Sequence, residues 1–124
     1  MVKKLKDRIE LVTPLYGVRF VIFSTREAAN KFLGYDDFCN NYAAQVSVLT
    51  CAAGIDYVAL TFRDVSECCA DTLTHECIHA AWRILERVGV TVSVDNQEPL
   101  AYLAGWLSKE VNKFMMAHVE ANNE

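Results

Sequence analysis

Residues 57–79 read YVALTFRDVSECCADTLTHECIH and join a strand-like run to a helix-like run. Tyr57–Phe62 is rich in β-branched and aromatic residues, which favour a β-strand. Asp64 or Ser66 is a suitable N-cap for a long helix, which we expect to end just before Gly89. The stretch therefore predicts a strand followed by a helix that carries the segment HECIH.

Two further strands and a short helix are predicted on the N-terminal side of this stretch. Arg19–Phe23 (RFVIF) is a second β-prone run. Ser24 precedes a glutamate by three residues, the spacing of a capping box, so a helix is expected over Thr25–Leu33. Gln45–Thr50 alternates polar and apolar residues, and we expect it to form a hairpin with Tyr57–Phe62.

A second long helix is predicted at the C-terminal end. We expect it to begin near Gln97, because Pro99 then lies in the first turn, where proline is tolerated. The resulting order of strand, helix, two strands and two long helices is typical of an α+β fold. We therefore expect a single domain over residues 1–124, in which a small, mainly antiparallel sheet carries the helices on one face.

Composition restricts the classes of function. Hydrophobic residues make up 52% of the chain and charged residues 23%, which is ordinary for a globular protein. The net charge of −4 argues against nucleic acid as the main partner, because there is no broad basic field. No apolar run in the sequence reaches the roughly 18 residues that a membrane span needs. We therefore expect neither nucleic acid nor a membrane as partner.

The five cysteines indicate a reducing compartment. Their number is odd, and the N-terminal residues lack the apolar core of a secretory signal, so we expect reduced thiols in the cytoplasm. No CxxC pair is present in the sequence, which argues against a thiolate zinc cluster. We expect the cysteines to serve as small buried apolar residues.

The segment HECIH, residues 75–79, has the spacing of a metal site on a helix. Each helical residue turns by about 100°, so His75 and His79 lie on nearly the same face and can take adjacent corners of a zinc tetrahedron. Glu76 is rotated by about 100° from His75, so its carboxylate can act as a base on an attacking water without binding the metal. The alternative is a helix whose histidines only form hydrogen bonds.

A third ligand is needed, because a catalytic zinc site normally has three protein ligands and an open position for water. Glu98, Asp95 and His118 are the candidates. Glu98 begins the predicted final helix, after a loop that can fold it back towards the HECIH helix. A glutamate at a helix start also has a simpler explanation, since it complements the helix dipole.

The spacing of these residues resembles a known family. HECIH followed by eighteen residues and then a helical glutamate resembles the gluzincin branch of the zinc metallopeptidases. The segment EPLAYLAGWL also looks like the ligand helix of small phage- or prophage-borne zincin-like proteins. The resemblance implies a zincin-like fold, with Zn²⁺ as cofactor, His75, His79 and Glu98 as its ligands and Glu76 as the general base. It also implies a protein or peptide substrate, and the host cytoplasm as the compartment if a phage encodes the chain.

Zinc-dependent peptide hydrolysis is therefore the predicted function. Tyr102 stands one helical turn after Glu98 and is a candidate donor to the oxyanion formed during attack on a peptide bond. Asp71, one turn before His75, is a candidate acceptor for that imidazole. Two alternatives stay open: a catalytically inactive zincin-like module that binds a protein partner, and a metal-free phage regulatory or assembly protein.

Two packing expectations also bear on the site. In zincins the edge strand beside the motif helix binds extended substrate by backbone pairing, and the sequence leaves both Tyr57–Phe62 and Gln45–Thr50 as candidates for that edge. Ile78, Trp82 and Leu85 stand at helical spacing in and after HECIH, and we expect all three side chains to lie in the core.

Overall fold

The computed structural model describes residues 4–39 and 41–123. Within these residues the chain forms four strands and three α-helices, with a short 3₁₀ turn at Val65–Glu67. In chain order the elements are β1 (Arg8–Val12), β2 (Arg19–Phe23), α1 (Arg26–Leu33), β3 (Ala44–Thr50), β4 (Asp56–Phe62), α2 (Ala70–Arg87) and α3 (Glu98–Asn122). The α+β class is confirmed, and β1 is the element that has no counterpart in the prediction.

The four strands form one mixed sheet in the order β1-β2-β4-β3. The predicted hairpin is confirmed, because β3 pairs with β4 in an antiparallel register that runs from Ala44 opposite Phe62 to Thr50 opposite Asp56. β1 and β2 are also antiparallel, but the central strands β2 and β4 are parallel. The parallel pair arises because the chain crosses over through α1 between β2 and the hairpin.

Helices cover both faces of this sheet, so the expectation that they pack on one face is wrong. α2 and α3 pack against the face that carries Phe20, Ile22 and Leu60. α1 covers the opposite face, where Ala28 clusters with Val21. The unbroken apolar run over residues 20–23 of β2 reflects burial on both sides, because a strand with one wet face would alternate apolar and polar residues.

Capping differs from the prediction at two places. Thr25, rather than Ser24, caps α1, and its side chain accepts a hydrogen bond from the Ala28 N–H. Asp64 caps only the 3₁₀ turn, and Cys69 lies in an extended conformation immediately before α2. Helix α2 is therefore shorter than predicted, although it still carries HECIH in its second and third turns.

Helix α3 packs against α2 and completes the core. Its fully buried side chains are Leu103, Leu107, Val111 and Met115. Ile78 and Trp82 of α2 are instead 40% and 50% exposed, so the expectation that they lie in the core is wrong. They lie on the outer side of the helix, because Ala81, Ile84 and Leu85 occupy its inward face. In the described part of the chain, neither α3 nor any other helix is long and apolar enough to cross a membrane.

Candidate functional site

A cleft of about 630 Å³ runs between helix α2 and the beginning of strand β3. Residues 41–46 line one wall, and the other consists of Asp71, Thr72, His75, Glu76, His79 and Arg83 of α2. Strand β3 is an edge of the sheet, whereas β4 lies inside it. Of the two candidate edge strands, the one that flanks the HECIH helix at the open edge is therefore Ala44–Thr50.

His75 and His79 face this cleft as a close pair. Their Nε2 atoms are 3.2 Å apart and their rings meet edge to face, with centroids separated by 4.7 Å. Two nitrogens bound tetrahedrally to one zinc at about 2.0–2.1 Å are separated by about 3.3 Å. The two rings are within hydrogen-bond distance of each other, and the same separation matches two corners of a zinc tetrahedron, so the chemistry of the pair fits that ion.

Glu76 lies beside the pair in the chain and lines the same cleft. It is only 7% exposed, and its Oε2 atom has no hydrogen-bond partner among the described residues. Burial raises the pKa of the Glu76 carboxyl, whereas the nearby imidazoles of His75 and His79 act in the opposite direction. Glu76 therefore brings to the cleft wall a carboxyl whose Oε2 atom is buried and unpartnered within the described part of the chain, a group with the chemistry of a proton acceptor.

Glu98 and Tyr102 do not join this arrangement. Both side chains are exposed on the first turns of α3, and neither is among the residues that line the cleft. Within residues 4–39 and 41–123, no three His, Cys, Asp or Glu side chains are grouped closely enough to hold a metal ion. The histidine pair is therefore assembled without a third ligand, and Glu98 as that ligand stays a prediction.

The other two candidates for the third ligand lie elsewhere. His118 is near the end of α3, where a ring nitrogen lies 2.8 Å from the carbonyl oxygen of Lys6 and donates to it. Asp95 is exposed in the turn before α3, next to the isolated bridge between Ser93 and Asn96. Neither residue lines the cleft.

Asp71 lines the cleft one turn before His75, as its spacing requires. Its Oδ1 atom accepts a hydrogen bond of 2.8 Å from the Cys69 thiol. This bond, together with backbone N–H groups of the first turn, lowers the pKa of the Asp71 carboxyl. The carboxylate is thus held by the start of α2, and its predicted role as acceptor for the His75 imidazole remains a prediction.

Gln45 is a site residue that the sequence did not reveal. Its side-chain oxygen accepts a hydrogen bond from the Cys39 N–H at 3.0 Å, and its side-chain nitrogen donates to the Asp37 carbonyl at 3.1 Å. These two bonds attach the loop before β3 to the strand and so shape one wall of the cleft. No local pattern could identify them, because the partners are six and eight residues away in an irregular segment.

Arg83 is the second residue that the sequence reading missed. It stands one helical turn after His79 and lines the same cleft. Here a signal was present, since residues at positions i and i+4 of a helix share a face. The HECIH helix therefore presents an imidazole pair and a guanidinium to one cleft.

Comparison with known proteins adds no relative to this description. Neither the family models, nor the curated proteins, nor the solved structures contain a match to the chain. What the site does must therefore be inferred from its own geometry.

Proposed function

We propose that the chain is a zinc-dependent peptidase in which His75 and His79 bind the metal and Glu76 is the general base. The observation that supports this most directly is the 3.2 Å separation of the two Nε2 atoms beside a buried carboxyl oxygen without a partner. A pair of histidines that only stabilised a helix would not need an unpartnered buried carboxyl next to it. Such a group is costly to the fold and is expected where chemistry requires it.

The chain's own residues divide the work of hydrolysis. Zinc, when bound, would polarise the scissile carbonyl and lower the pKa of water towards about 7. Glu76 takes one proton from the attacking water as the new C–O bond forms, and it delivers that proton to the amine nitrogen as the C–N bond breaks. His75 and His79 keep the metal within reach of Glu76, because all three stand on one rigid helical turn.

Strand β3 supplies the means of holding the substrate in this proposal. It is an edge strand, and its first residues form the wall opposite the histidines. An extended peptide that pairs with the backbone of β3 would lie along the open edge of the sheet beside the cleft, with alternate carbonyl groups directed away from β3. The bonds of Gln45 to the preceding loop keep that edge in place.

Glu98 and Tyr102 enter the proposal as groups of the first turns of α3. We propose Glu98 as the third ligand, as its spacing from HECIH suggests, and Tyr102 as a donor to the oxyanion. Both side chains are exposed and can reorient, and each makes a separate prediction. Glu98→Gln should weaken zinc binding, whereas Tyr102→Phe should lower the rate of hydrolysis and leave zinc binding unchanged.

The primary test measures zinc in the purified protein. We expect one equivalent in the wild type, loss of zinc in His79→Ala, and full retention in the matched control His118→Ala, whose imidazole lies outside the cleft. Stoichiometric zinc in His79→Ala would overturn the proposed site.

For catalysis, Glu76→Gln should keep zinc and lose activity by about 10²–10⁴-fold on an uncharged peptide. Glu86→Gln, on the same helix but outside the cleft, should keep that activity.

One observation favours a second function. The described residues do not assemble a third ligand around the histidine pair, which is compatible with a catalytically inactive module that binds a protein partner, or with a metal-free phage regulatory protein. The same variants separate these cases. If Glu76→Gln binds zinc and retains the full biological effect of the wild type, the chain is the inactive module. If the wild type contains no zinc, it is the metal-free protein.

A further inference from the structure

The two ends of the cleft carry opposite charges on the same helix. Asp71 stands one turn before His75, and Arg83 stands one turn after His79. The separation of twelve positions between these charges corresponds to about 18 Å along the axis of α2. The histidine pair lies midway, so a peptide bound across the cleft has a carboxylate on one side of its reacting bond and a guanidinium on the other.

The two charged groups differ in how firmly they are held. Asp71 is bound by the Cys69 thiol and by the first turn of its helix. Arg83 contacts Glu86 through a single hydrogen bond of 3.3 Å, with the two side chains 54% and 66% exposed. Exposed pairs of this kind contribute little to stability, so another carboxylate can replace Glu86 at the guanidinium.

We propose that Arg83 is a specificity-determining residue that binds a carboxylate of the peptide substrate. The proposal rests on the proposed function, and it names the substrate class as peptides that carry an acidic side chain or a free C-terminus at this end of the cleft. A guanidinium suits this role, because its planar donors match a carboxylate in a bidentate arrangement. An acidic side chain and a free C-terminus both present a carboxylate, and the experiment distinguishes between them.

The position of the carboxylate follows from the geometry. Arg83 lies about 9 Å along the helix axis from the midpoint of the histidine pair. An extended peptide advances by about 3.3 Å per residue. For a peptide whose chain runs along α2, the carboxylate is therefore expected two to three residues from the reacting bond, always on the same side of it. A terminal carboxylate at that distance would make the protein release short C-terminal fragments.

The test measures peptide binding and cleavage separately in the zinc-loaded protein. Nine-residue peptides, labelled for fluorescence anisotropy and without other charged side chains, each carry one Glu, its matched Gln or a Lys at successive positions. Every peptide is made with a free and with an amidated C-terminus. We expect a single favoured acidic position, or the free C-terminus, to bind about tenfold more tightly than its neutral match.

The variants identify the residue responsible. Arg83→Glu should abolish the acidic preference and favour peptides with Lys at the same position. Arg87→Gln is the matched control, because Arg87 stands one turn further along α2 and pairs with Asp56 outside the cleft. It should bind like the wild type. Glu86→Gln should strengthen the acidic preference, since it removes the competing carboxylate.

The outcomes separate this inference from the peptidase proposal. Acid-selective binding that reverses in Arg83→Glu, without cleavage of any peptide, would keep the inference and overturn hydrolysis. Cleavage without selectivity for acidic peptides would keep hydrolysis and overturn the inference. A preference that survives in Arg83→Glu, or the absence of saturable binding of the acidic peptides, would also overturn it.

Discussion

Glu76 is a polar residue in a place where the fold alone would favour an apolar one. Its side chain is 7% exposed, and its Oε2 atom has no partner among the described residues. A buried carboxylate without compensation costs stability, whereas a neutral side chain of the same shape costs less. We therefore predict that Glu76→Gln is about 1 kcal/mol more stable than the wild type at pH 7 without metal.

Urea unfolding in the presence of a chelator measures this difference. Glu86→Gln serves as the control, since Glu86 is exposed and its loss should change the free energy of unfolding by less than about 0.5 kcal/mol. A clear loss of stability in Glu76→Gln would mean that the carboxyl supports the fold, and the argument for a catalytic role would lose its basis.

Cys77 provides a pH-dependent prediction at the same scale. Of the five cysteines, Cys77 alone is buried, so the expectation that all serve as buried apolar residues is wrong for the exposed thiols of Cys39 and Cys69. Burial raises the pKa of the Cys77 thiol to about 11 from the ordinary 9.0, against the opposing effect of a hydrogen bond with Ser108. The folded state holds this proton more tightly than the unfolded state does. The protonated Cys77 thiol therefore makes its full contribution to the free energy of unfolding below pH 9, and that contribution is lost as the pH rises through 11.

The measurement compares the free energy of unfolding of wild type and Cys77→Ala between pH 8 and 11. The wild type should lose about 2 kcal/mol more than the variant over this range, as two units of pKa difference imply. Equal slopes for the two proteins would contradict the prediction.

Thiol reagents at pH 8 should modify Cys39 and Cys69 in the native protein but reach Cys77 only after unfolding.

Individual residues of the site were predictable only where a helix fixes their spacing. The helical period alone brings His75 and His79 to one face, and it also places Arg83 there. Gln45 could not be predicted, because its two partners lie in the irregular loop just before β3, and no regular spacing fixes the path of that loop. Whether Glu98 meets the histidines depends on how α3 packs, which no spacing within one helix determines.

At the scale of elements, a strand could be predicted from the sequence only where its pattern of apolar and polar residues is pronounced. Arg19–Phe23 is recognisable because, after the exposed Arg19, its remaining four residues are apolar, as a strand buried on both faces requires. β1 is a short edge strand in which only Ile9 and Leu11 face the core, and the basic residues before it suggest a solvated segment. The parallel pairing of β2 with β4 is a long-range choice that no local pattern contains.

Gln45 makes an element-scale prediction about the wall of the cleft. Gln45→Ala should free the loop before β3, since it removes both the bond from the Cys39 N–H and the bond to the Asp37 carbonyl. The bonds are exposed, so we expect a loss of about 1 kcal/mol or less in global stability. The Cys39 amide should nevertheless exchange with solvent at least about tenfold faster.

Hydrogen exchange followed by mass spectrometry measures this local effect. Val48→Ala is the matched control, because Val48 lies three residues further along β3, is exposed, and lines neither the cleft nor the small cavity beside the loop. It should leave the exchange of the loop unchanged. Unaltered exchange of the Cys39 amide in Gln45→Ala would show that the wall is held by other contacts, and Gln45 would then have no part in shaping the cleft.

At the scale of the molecule, the sheet joins two apolar clusters into one cooperative unit. The larger cluster contains the inward residues of α2 and α3, and the smaller one contains those of α1. β2 and β4 contribute side chains to both, since Phe20 and Val21 are neighbours in sequence but face opposite sides. Neither cluster can lose its packing without exposing a strand that the other also needs.

Leu107→Ala tests this cooperativity, because Leu107 is fully buried in the larger cluster. Truncation of a buried leucine costs about 2–5 kcal/mol, a large fraction of the stability of a domain of this size. The unfolding midpoint should therefore fall by the same amount when followed by tryptophan fluorescence, far-ultraviolet circular dichroism, or exchange of the β4 amides. Leu15→Ala, at a side chain that is 85% exposed, should change stability by less than about 0.5 kcal/mol.

If the α1 face stayed protected while α2 and α3 melted, the sheet would not couple the two clusters. The cleft would then lose its α2 wall without global unfolding.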